Sequence, residues 1–132
     1  EEADHSLPYL VAAAALDGEV MPGQYEPARI VSDDVQSLLR RVTVVPDASF
    51  SSRFPDQHAC RLTVTLRDGR TFAKEKSDYE GFHTRPMSFA KVEEKFHRLA
   101  EGAVDVFRRE EIVDAVRRLD RISVKDLMEM LR

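Results

Sequence analysis

The strongest constraint on the fold lies in the middle of the chain, where two runs of alternating apolar and polar residues flank an Asp-Gly pair. The first run is Cys60–Leu66, the second is Arg70–Lys76, and Asp68-Gly69 lies between them. Alternation on both sides of an Asp-Gly pair is a strong signal for a β-hairpin. The aliphatic residues of the first run are expected on one face of the hairpin, and its arginines and threonines on the other.

Helical signals precede this hairpin. Ser6 is a typical N-cap, Pro8 suits a first helical turn, and Gly18 suits the C-terminal end of an apolar helix. A short helix is expected after Ser32-Asp33-Asp34. The residues Val42-Thr43-Val44-Val45 predict a strand, because β-branched residues favour extended structure. One strand in addition to the hairpin is therefore expected in this part of the chain.

Helical signals also follow the hairpin. Ser88 predicts the cap of one helix, Glu110–Leu119 has the apolar spacing of a second, and Ser123 predicts the cap of a third. Residues 48–57 have no periodicity and are expected to form a surface loop. The predicted fold class is α+β, with a small antiparallel sheet, a lid-like unit, flanked by N- and C-terminal helices.

The order of these signals divides the chain into three zones within one compact domain or domain fragment. Residues 1–31 hold the first helix and an irregular connection. Residues 32–83 hold the α+β unit, with the hairpin at 60–76. Residues 84–132 hold the last helices. The length of 132 residues suits one domain.

Composition excludes several classes of protein. The net charge of −4 gives no general basic surface for nucleic acid. A single cysteine, Cys60, cannot form an internal disulfide and is expected to be a small buried apolar residue, which favours a cytoplasmic location. The longest apolar run, Leu7–Leu16, is far shorter than the roughly 20 residues of a membrane span. Acidic residues precede this run where a signal peptide carries positive charge, so a buried helix is favoured.

The first candidate for chemistry is His5, which lies beside Asp4 just ahead of the apolar helix. A neutral imidazole can take or give a proton near pH 7, and an adjacent acid can fix its tautomer. The alternative is that His5 only helps to cap the helix with Asp4 and Ser6. Tyr9 could offer a hydroxyl near His5, although a core tyrosine with one hydrogen bond is the simpler interpretation.

The second candidate is the segment after the hairpin, Tyr79–Ser88, which contains His83 and Arg85. Loops held by a scaffold often bind ligands, and a guanidinium can grip a carboxylate with two hydrogen bonds. The alternative is that Arg85 pairs with a structural acid.

The remaining histidines, His58 and His97, are interpreted as surface or packing residues. The sequence contains no H-E-x-x-H pattern, and no metal site is predicted from the spacing of its histidines and acids. It also has no glycine-rich phosphate loop and no G-x-S-x-G nucleophile motif.

Two motifs resemble the MmgE/PrpD family, which includes 2-methylcitrate dehydratases and cis-aconitate decarboxylases. One is Asp4-His5-Ser6-Leu7-Pro8-Tyr9, followed by an alanine-rich helix that ends at Asp17-Gly18; the other is Arg85-Pro86-Met87-Ser88. The hairpin and the helix after Ser88 follow in the family's order. The resemblance runs through nearly the whole chain but covers only the C-terminal portion of a family member.

The resemblance implies a large helical domain and a smaller α+β lid, with the active site between them. It implies a dimeric enzyme of propionate-type catabolism that needs no metal or organic cofactor and acts on a small polycarboxylate. His5 would be the catalytic proton-transfer residue, and Arg85, His83 and Tyr9 would be substrate-binding residues. A lysine that family members carry a few residues upstream of the motif histidine would fall before Glu1.

Three readings of the function remain open. The chain is expected to be the C-terminal part of a cofactor-independent lyase or isomerase that requires an N-terminal helical domain, either fused or as a separate subunit. The alternative is a non-catalytic binding or assembly module that retains the lid fold. A third possibility is a partner of a larger enzyme; its exposed Leu7–Leu16 helix would then promote self-association. No role with nucleic acid or membrane is expected.

Overall fold

A computed structural model describes residues 2–131 of the chain. The chain separates into two compact units, with the boundary between Ser77 and Asp78. The three zones drawn from the sequence stay a prediction. In chain order the elements are α1 (Leu7–Asp17), a 3₁₀ turn (Pro22–Tyr25), α2 (Pro27–Ile30), α3 (Asp33–Leu39), α4 (Ala48–Ser51), β1 (Cys60–Thr65), β2 (Thr71–Lys76), α5 (Phe89–Ala100), α6 (Val106–Arg117) and α7 (Val124–Met130).

Helix α1 begins and ends where its sequence signals predict. The Ser6 hydroxyl accepts a hydrogen bond from the Tyr9 backbone N–H at 3.3 Å. Gly18 has a φ of 78°, a left-handed conformation that suits glycine, and its N–H donates to the Ala14 carbonyl at 3.0 Å. The predicted cap and stop of this helix are therefore confirmed.

The core of the first unit lies between α1 and α3. Tyr9, Ala13 and Val35 are buried together, and Val35 is fully enclosed. Partly buried apolar residues surround them: Ala3, Tyr25, Ile30 and Leu39. Because alanine side chains are small, α3 can approach α1 closely at this point.

Polar contacts of Arg29 also join these helices. Its Nε donates to Asp17 at the end of α1 at 2.9 Å, and its Nη1 donates to Asp34 in the first turn of α3 at 2.9 Å. Gln24 donates to the same Asp17 carboxylate at 3.1 Å. One guanidinium thus bridges two carboxylates from different helices.

The hairpin is confirmed, with β1 and β2 paired antiparallel from Cys60–Lys76 to Thr65–Thr71. All residues of both strands are solvent-exposed. The turn differs from a two-residue Asp-Gly turn, because Asp68 keeps a negative φ while Gly69 alone is left-handed at 88°. The Gly69 N–H donates to Leu66 and the Leu66 N–H donates to Arg70. This arrangement is the three-residue hairpin loop that places glycine at its left-handed position.

Three sequence expectations for this unit are wrong. Val42–Val45 forms no strand, and the Val42 N–H instead donates to Leu39 as part of the turn that ends α3. Cys60 is exposed rather than buried, as are all the other residues of both strands. Residues 48–57 are not entirely loop, since the Asp47 carboxylate accepts from the Ser49 N–H at 2.9 Å and caps α4.

The second unit holds the helices α5, α6 and α7, which follow a loop that begins at Asp78. Ser88 and Ser123 cap α5 and α7 as predicted. Helix α6 begins at Val106, four residues before the expected Glu110, because Asp105 accepts from the Arg108 N–H and provides the cap. The buried apolar residues of this unit are Phe82, Ile112, Val113 and Ala115.

The structure confirms the α+β class, since helices dominate and the described strands form one antiparallel hairpin. Among residues 2–131, no helix combines the length and apolar character that crossing a membrane would require.

Candidate functional site

His5 lies immediately before α1, in the turn that leads into the Ser6 cap. Its Nδ1 is 2.9 Å from the Asp4 carboxylate, and its side chain is 83% exposed. The hydrogen bond from His5 lowers the pKa of Asp4 below its ordinary value of 3.8. Asp4 is therefore an anion at neutral pH, and it favours the His5 tautomer that carries its proton on Nδ1.

Tyr9 lies one turn further along and points into the core rather than into solvent. It is 3% exposed, and its hydroxyl donates to the backbone carbonyl of Gln24. Burial raises the pKa of the Tyr9 hydroxyl, which therefore stays protonated at neutral pH. Packing in the core explains the position of Tyr9. Its role in substrate binding stays a prediction, because the hydroxyl would have to leave the Gln24 carbonyl to contact a substrate.

The second unit begins with a compact loop that holds His83 and Arg85. The Gly81 N–H donates to the Arg85 carbonyl at 2.8 Å, and the Arg85 N–H donates to Phe82 at 2.9 Å. Gly81 has a φ of 98°, which only glycine adopts without strain. Phe82 is buried beneath the loop and anchors it. The backbone therefore holds the two cationic residues on a tight turn.

The Arg85 side chain is 46% exposed, and its guanidinium reaches the Asp78 carboxylate at 3.4 Å. The Thr84 hydroxyl donates to the other oxygen of Asp78 at 3.2 Å. A separation of 3.4 Å is longer than a typical charge-assisted hydrogen bond, so the contact with Asp78 is loose. Arg85 thus has a structural acid as a neighbour, as the alternative interpretation expected, and still presents its fork to solvent.

The His83 ring lies next to the anchoring phenylalanine. The centroids of the His83 and Phe82 rings are 4.3 Å apart, and the planes are tilted by 57°. His83 itself is exposed. The structure thus groups the predicted site residues into two local arrangements, Asp4 with His5 in the first unit and His83 with Arg85 in the second.

A cluster that the sequence analysis missed lies between α5 and α6. Ligand atoms of Glu93, His97 and Glu110 lie within 4.8 Å of one another, and His97 Nε2 is 3.6 Å from Glu110. Residues four apart share a helix face, so the Glu93–His97 spacing was the available signal. The guanidinium of Arg117 donates to Glu93 at 2.8 Å. A metal cation at this cluster would have to compete with the Arg117 guanidinium for Glu93. The contacts of Glu93 with Arg117 and of His97 with Glu110 link the two helices, and this structural role explains them.

Comparison with known proteins identifies the family. Residues 1–121 match the MmgE/PrpD C-terminal domain. Cis-aconitate decarboxylase of Homo sapiens is 30% identical over 126 residues, covering 92% of this chain and 25% of that protein. The cis-aconitate decarboxylase of Mus musculus is 26% identical over 122 residues, with the same two coverages. A cis-aconitate decarboxylase-like protein, oryM, of Aspergillus oryzae is 30% identical over 125 residues, covering 93% of this chain and 25% of that protein.

The chain therefore spans about a quarter of the length of the curated relatives it matches. The match includes both the Asp4-His5 turn and the His83–Arg85 loop, since both lie within residues 1–121. The chain belongs to the MmgE/PrpD family and corresponds to its C-terminal domain.

Proposed function

We propose that this chain forms part of the active site of a lyase that transfers a proton next to a carboxylate of a small polycarboxylic acid. The geometry that carries the proposal is the Asp4–His5 pair, an exposed imidazole held at 2.9 Å by a carboxylate. The similarity to proteins named cis-aconitate decarboxylase favours a substrate of the cis-aconitate type. A 2-methylcitrate-type acid is the second substrate class that the proposal includes.

In this proposal His5 transfers the proton. With Nδ1–H directed at Asp4, Nε2 is the basic atom of the ring. In a decarboxylation, the bond between the carboxylate carbon and the substrate breaks, carbon dioxide leaves, and the remaining carbanion takes a proton from imidazolium Nε2–H. In a dehydration, neutral Nε2 takes the proton beside the carboxylate, the double bond forms, and the same proton passes from the imidazolium to the departing hydroxyl group, which leaves as water. A positioned acid or base of this kind contributes about 10²–10⁴-fold to the rate.

His83 and Arg85 contact the substrate carboxylates in this proposal. Arg85 presents a planar fork, and its contact with Asp78 at 3.4 Å is loose enough for a substrate carboxylate to replace it. A cation beside the reacting carbon also stabilises the enolate-like charge that forms during the reaction. The tight turn at Gly81 fixes the backbone positions from which both side chains extend.

The proposal extends to the rest of the enzyme. An N-terminal helical domain, either fused to this chain or present as a separate subunit, supplies the other residues of the site. The enzyme works as a homodimer in the cytoplasm and uses no metal or organic cofactor. The matched region is 25% of the length of each of these relatives, and this difference in length supports a further domain.

The experiment compares the His5→Ala and His58→Ala variants, each made in the whole protein with any further domain or subunit present. His58 is a matched control because it is another exposed histidine of the same unit. Loss of cis-aconitate and of 2-methylcitrate is followed by proton NMR, and carbon dioxide is collected. His5→Ala is expected to lower kcat by about 10²–10⁴-fold, and His58→Ala to leave it unchanged.

Full activity of His5→Ala would overturn the catalytic assignment. Absence of activity on both acids in the unaltered protein would instead favour the binding or assembly module.

A second comparison tests the carboxylate contact. Arg85→Gln removes the charge of the proposed contact, and Arg121→Gln removes the charge of an exposed arginine in the same unit. Arg85→Gln is expected to raise KM by about tenfold or more, because charge-assisted hydrogen bonds contribute about 1.5–3 kcal/mol. Equal KM values for the two variants would remove Arg85 from the site.

A further inference from the structure

Two carboxylates and an imidazole meet between α5 and α6 of the second unit. Glu93 and His97 lie four residues apart on α5, and Glu110 comes from α6. One ligand atom of each side chain lies within 4.8 Å of those of the other two, and His97 Nε2 is 3.6 Å from Glu110. All three residues belong to one unit, so their meeting does not depend on what covers the surface of the chain.

The separations within this cluster are close to those of a metal centre. Zn²⁺ binds imidazole nitrogen and carboxylate oxygen at about 2.0–2.2 Å, so two ligand atoms on one ion lie about 3–4 Å apart. The 3.6 Å between His97 and Glu110 lies within this range. Rotation about the side-chain bonds of the glutamates can bring the remaining atoms into it.

The two helices are also held together beside the cluster. Arg109 of α6 donates to the backbone carbonyl of His97 at 2.8 Å. The side chains of Glu93 and His97 are 22% and 26% exposed, so water screens their electrostatic interactions only in part. A neighbouring domain would reduce this exposure further. A cation between these side chains would therefore interact with them more strongly than at a fully exposed surface.

The charge of the cluster favours a cation. Its two carboxylates are negative, and Arg117 compensates one of them by donating to Glu93 at 2.8 Å. Arg117 also lies 3.6 Å from Asp114, and its guanidinium is 5.3 Å from the centre of the Phe89 ring. It therefore keeps two other partners when a cation takes its place at Glu93.

We propose that Glu93, His97 and Glu110 bind a divalent transition-metal ion of the Zn²⁺ class. A ligand set of imidazole and carboxylate suits Zn²⁺ better than Mg²⁺ or Ca²⁺, which prefer oxygen ligands alone. The ion takes no part in the proposed reaction. It links α5 to α6, because each helix supplies a ligand, and it replaces the weaker link through Arg117.

The probe is Zn²⁺, titrated by calorimetry into the whole protein with any further domain or subunit present, after treatment with a chelator. Glu110→Gln and His97→Ala each remove a ligand and are expected to weaken binding by about tenfold or more. Glu111→Gln is the control for the first variant, since Glu111 pairs with Arg108 instead. His58→Ala is the control for the second, since His58 is an exposed histidine of the first unit. Both controls are expected to change the affinity by less than about twofold.

The competition with Arg117 gives a test in the opposite direction. Arg117→Gln removes the cation that shares Glu93 and is expected to strengthen Zn²⁺ binding by about tenfold. Arg118→Gln is the control, because Arg118 donates to the backbone carbonyl of Asp114. This pair of variants keeps the test valid if His97→Ala does not fold.

Hydrogen exchange followed by mass spectrometry locates the bound ion. Zn²⁺ is expected to slow the exchange of amides in α5 and α6 and to leave those of α1 unchanged, because the ion stabilises only the helices that it links. The slowing is expected to be lost in Glu110→Gln.

Three results would overturn the proposal. The first is Zn²⁺ binding weaker than about 1 mM in the unaltered protein. The second is equal affinity of the unaltered protein and Glu110→Gln, which would place the ion elsewhere. The third is Mg²⁺ binding as tight as that of Zn²⁺, which would show an acidic surface without a contribution from the imidazole.

Discussion

The helices α1–α3 and the hairpin of the same unit are stabilised in different ways. The helices enclose Tyr9 and Val35, which are 3% and 0% exposed, and Arg29 joins their ends. The hairpin buries none of its strand residues and is held by its backbone ladder, its glycine turn and the exposed ion pairs of Glu75 with Arg53 and Arg61. Buried packing thus stabilises the first region, whereas the second depends on its backbone and on exposed contacts.

This difference shows that an alternating sequence pattern can predict a hairpin correctly even when neither face of the hairpin is buried. The apolar residues Leu62, Val64 and Phe72 share one face of the hairpin, but they stay exposed. Regions with few buried apolar contacts open at low free energy. We therefore expect the hairpin to open without unfolding α1–α3.

The largest expected effect comes from the core of the helical region. Val35→Ala removes two methyl groups from a fully enclosed site and leaves a cavity. It is expected to lower the free energy of unfolding by about 2–3 kcal/mol. Urea unfolding followed by far-UV circular dichroism measures the change.

Val64→Ala is the matched control, since it makes the same chemical change on the exposed face of the hairpin. It is expected to change the free energy of unfolding by less than about 0.5 kcal/mol. Equal losses in the two variants would mean that the hairpin face is packed in solution and that the two regions do not differ.

The next effect is confined to the hairpin. Gly69→Ala places a side chain at a φ of 88° and is expected to cost about 1–2 kcal/mol. Hydrogen exchange of the strand amides should speed up, while the urea midpoint of α1–α3 stays unchanged. Gly23→Ala is the control, because Gly23 is not left-handed and a Cβ there has open space.

A shift of the helical midpoint in Gly69→Ala would show that the hairpin and the helices unfold together. The proposed separation of the two regions would then be wrong.

The elements that the sequence predicted well depend on local chemistry. The caps at Ser6 and Ser88 and the hairpin around Gly69 depend on neighbouring residues, and all three are confirmed. The strand predicted at Val42–Val45 failed because a strand needs a partner, and its own propensity does not supply one. The expected burial of Cys60 failed for the same reason, since burial depends on what covers the hairpin.

The candidate site shows the same limit. The contact of His5 with Asp4 could be predicted because the residues are adjacent. The neighbour of Arg85 could be named only as some acid, and the structure identifies it as Asp78. The Glu93–His97–Glu110 cluster was missed, because its third member comes from another helix whose packing the spacing does not reveal.

A smaller effect is expected at the start of α1. Ser6→Ala removes the cap that accepts the Tyr9 N–H and is expected to cost about 1 kcal/mol. The urea midpoint of the helical region measures the loss. Ser37→Ala is the control, since Ser37 is exposed inside α3 and alanine favours a helix there. Equal stability of Ser6→Ala and the unaltered chain would show that packing alone holds the start of α1.

The smallest effect is expected in the pH dependence of the helical region. Hydrogen bonds from Arg29 lower the pKa of Asp34 from 3.8 to about 2, and Arg29 likewise lowers the pKa of Asp17. A carboxyl whose pKa is lower in the folded state stabilises the fold above its unfolded pKa and loses that contribution as the pH falls. Arg29→Leu is therefore expected to lower the thermal midpoint at neutral pH, and the gap to the unaltered chain should shrink between about pH 4 and about pH 2. Arg70→Leu is the control from the hairpin, where Arg70 pairs with Asp68 at 2.8 Å but both side chains are more than half exposed. Because exposed pairs are screened by solvent, this variant should leave the helical midpoint unchanged at every pH.

A gap for Arg29→Leu that stays constant down to about pH 2 would mean that the two carboxylates do not stabilise the helices, and packing would then be their main source of stability.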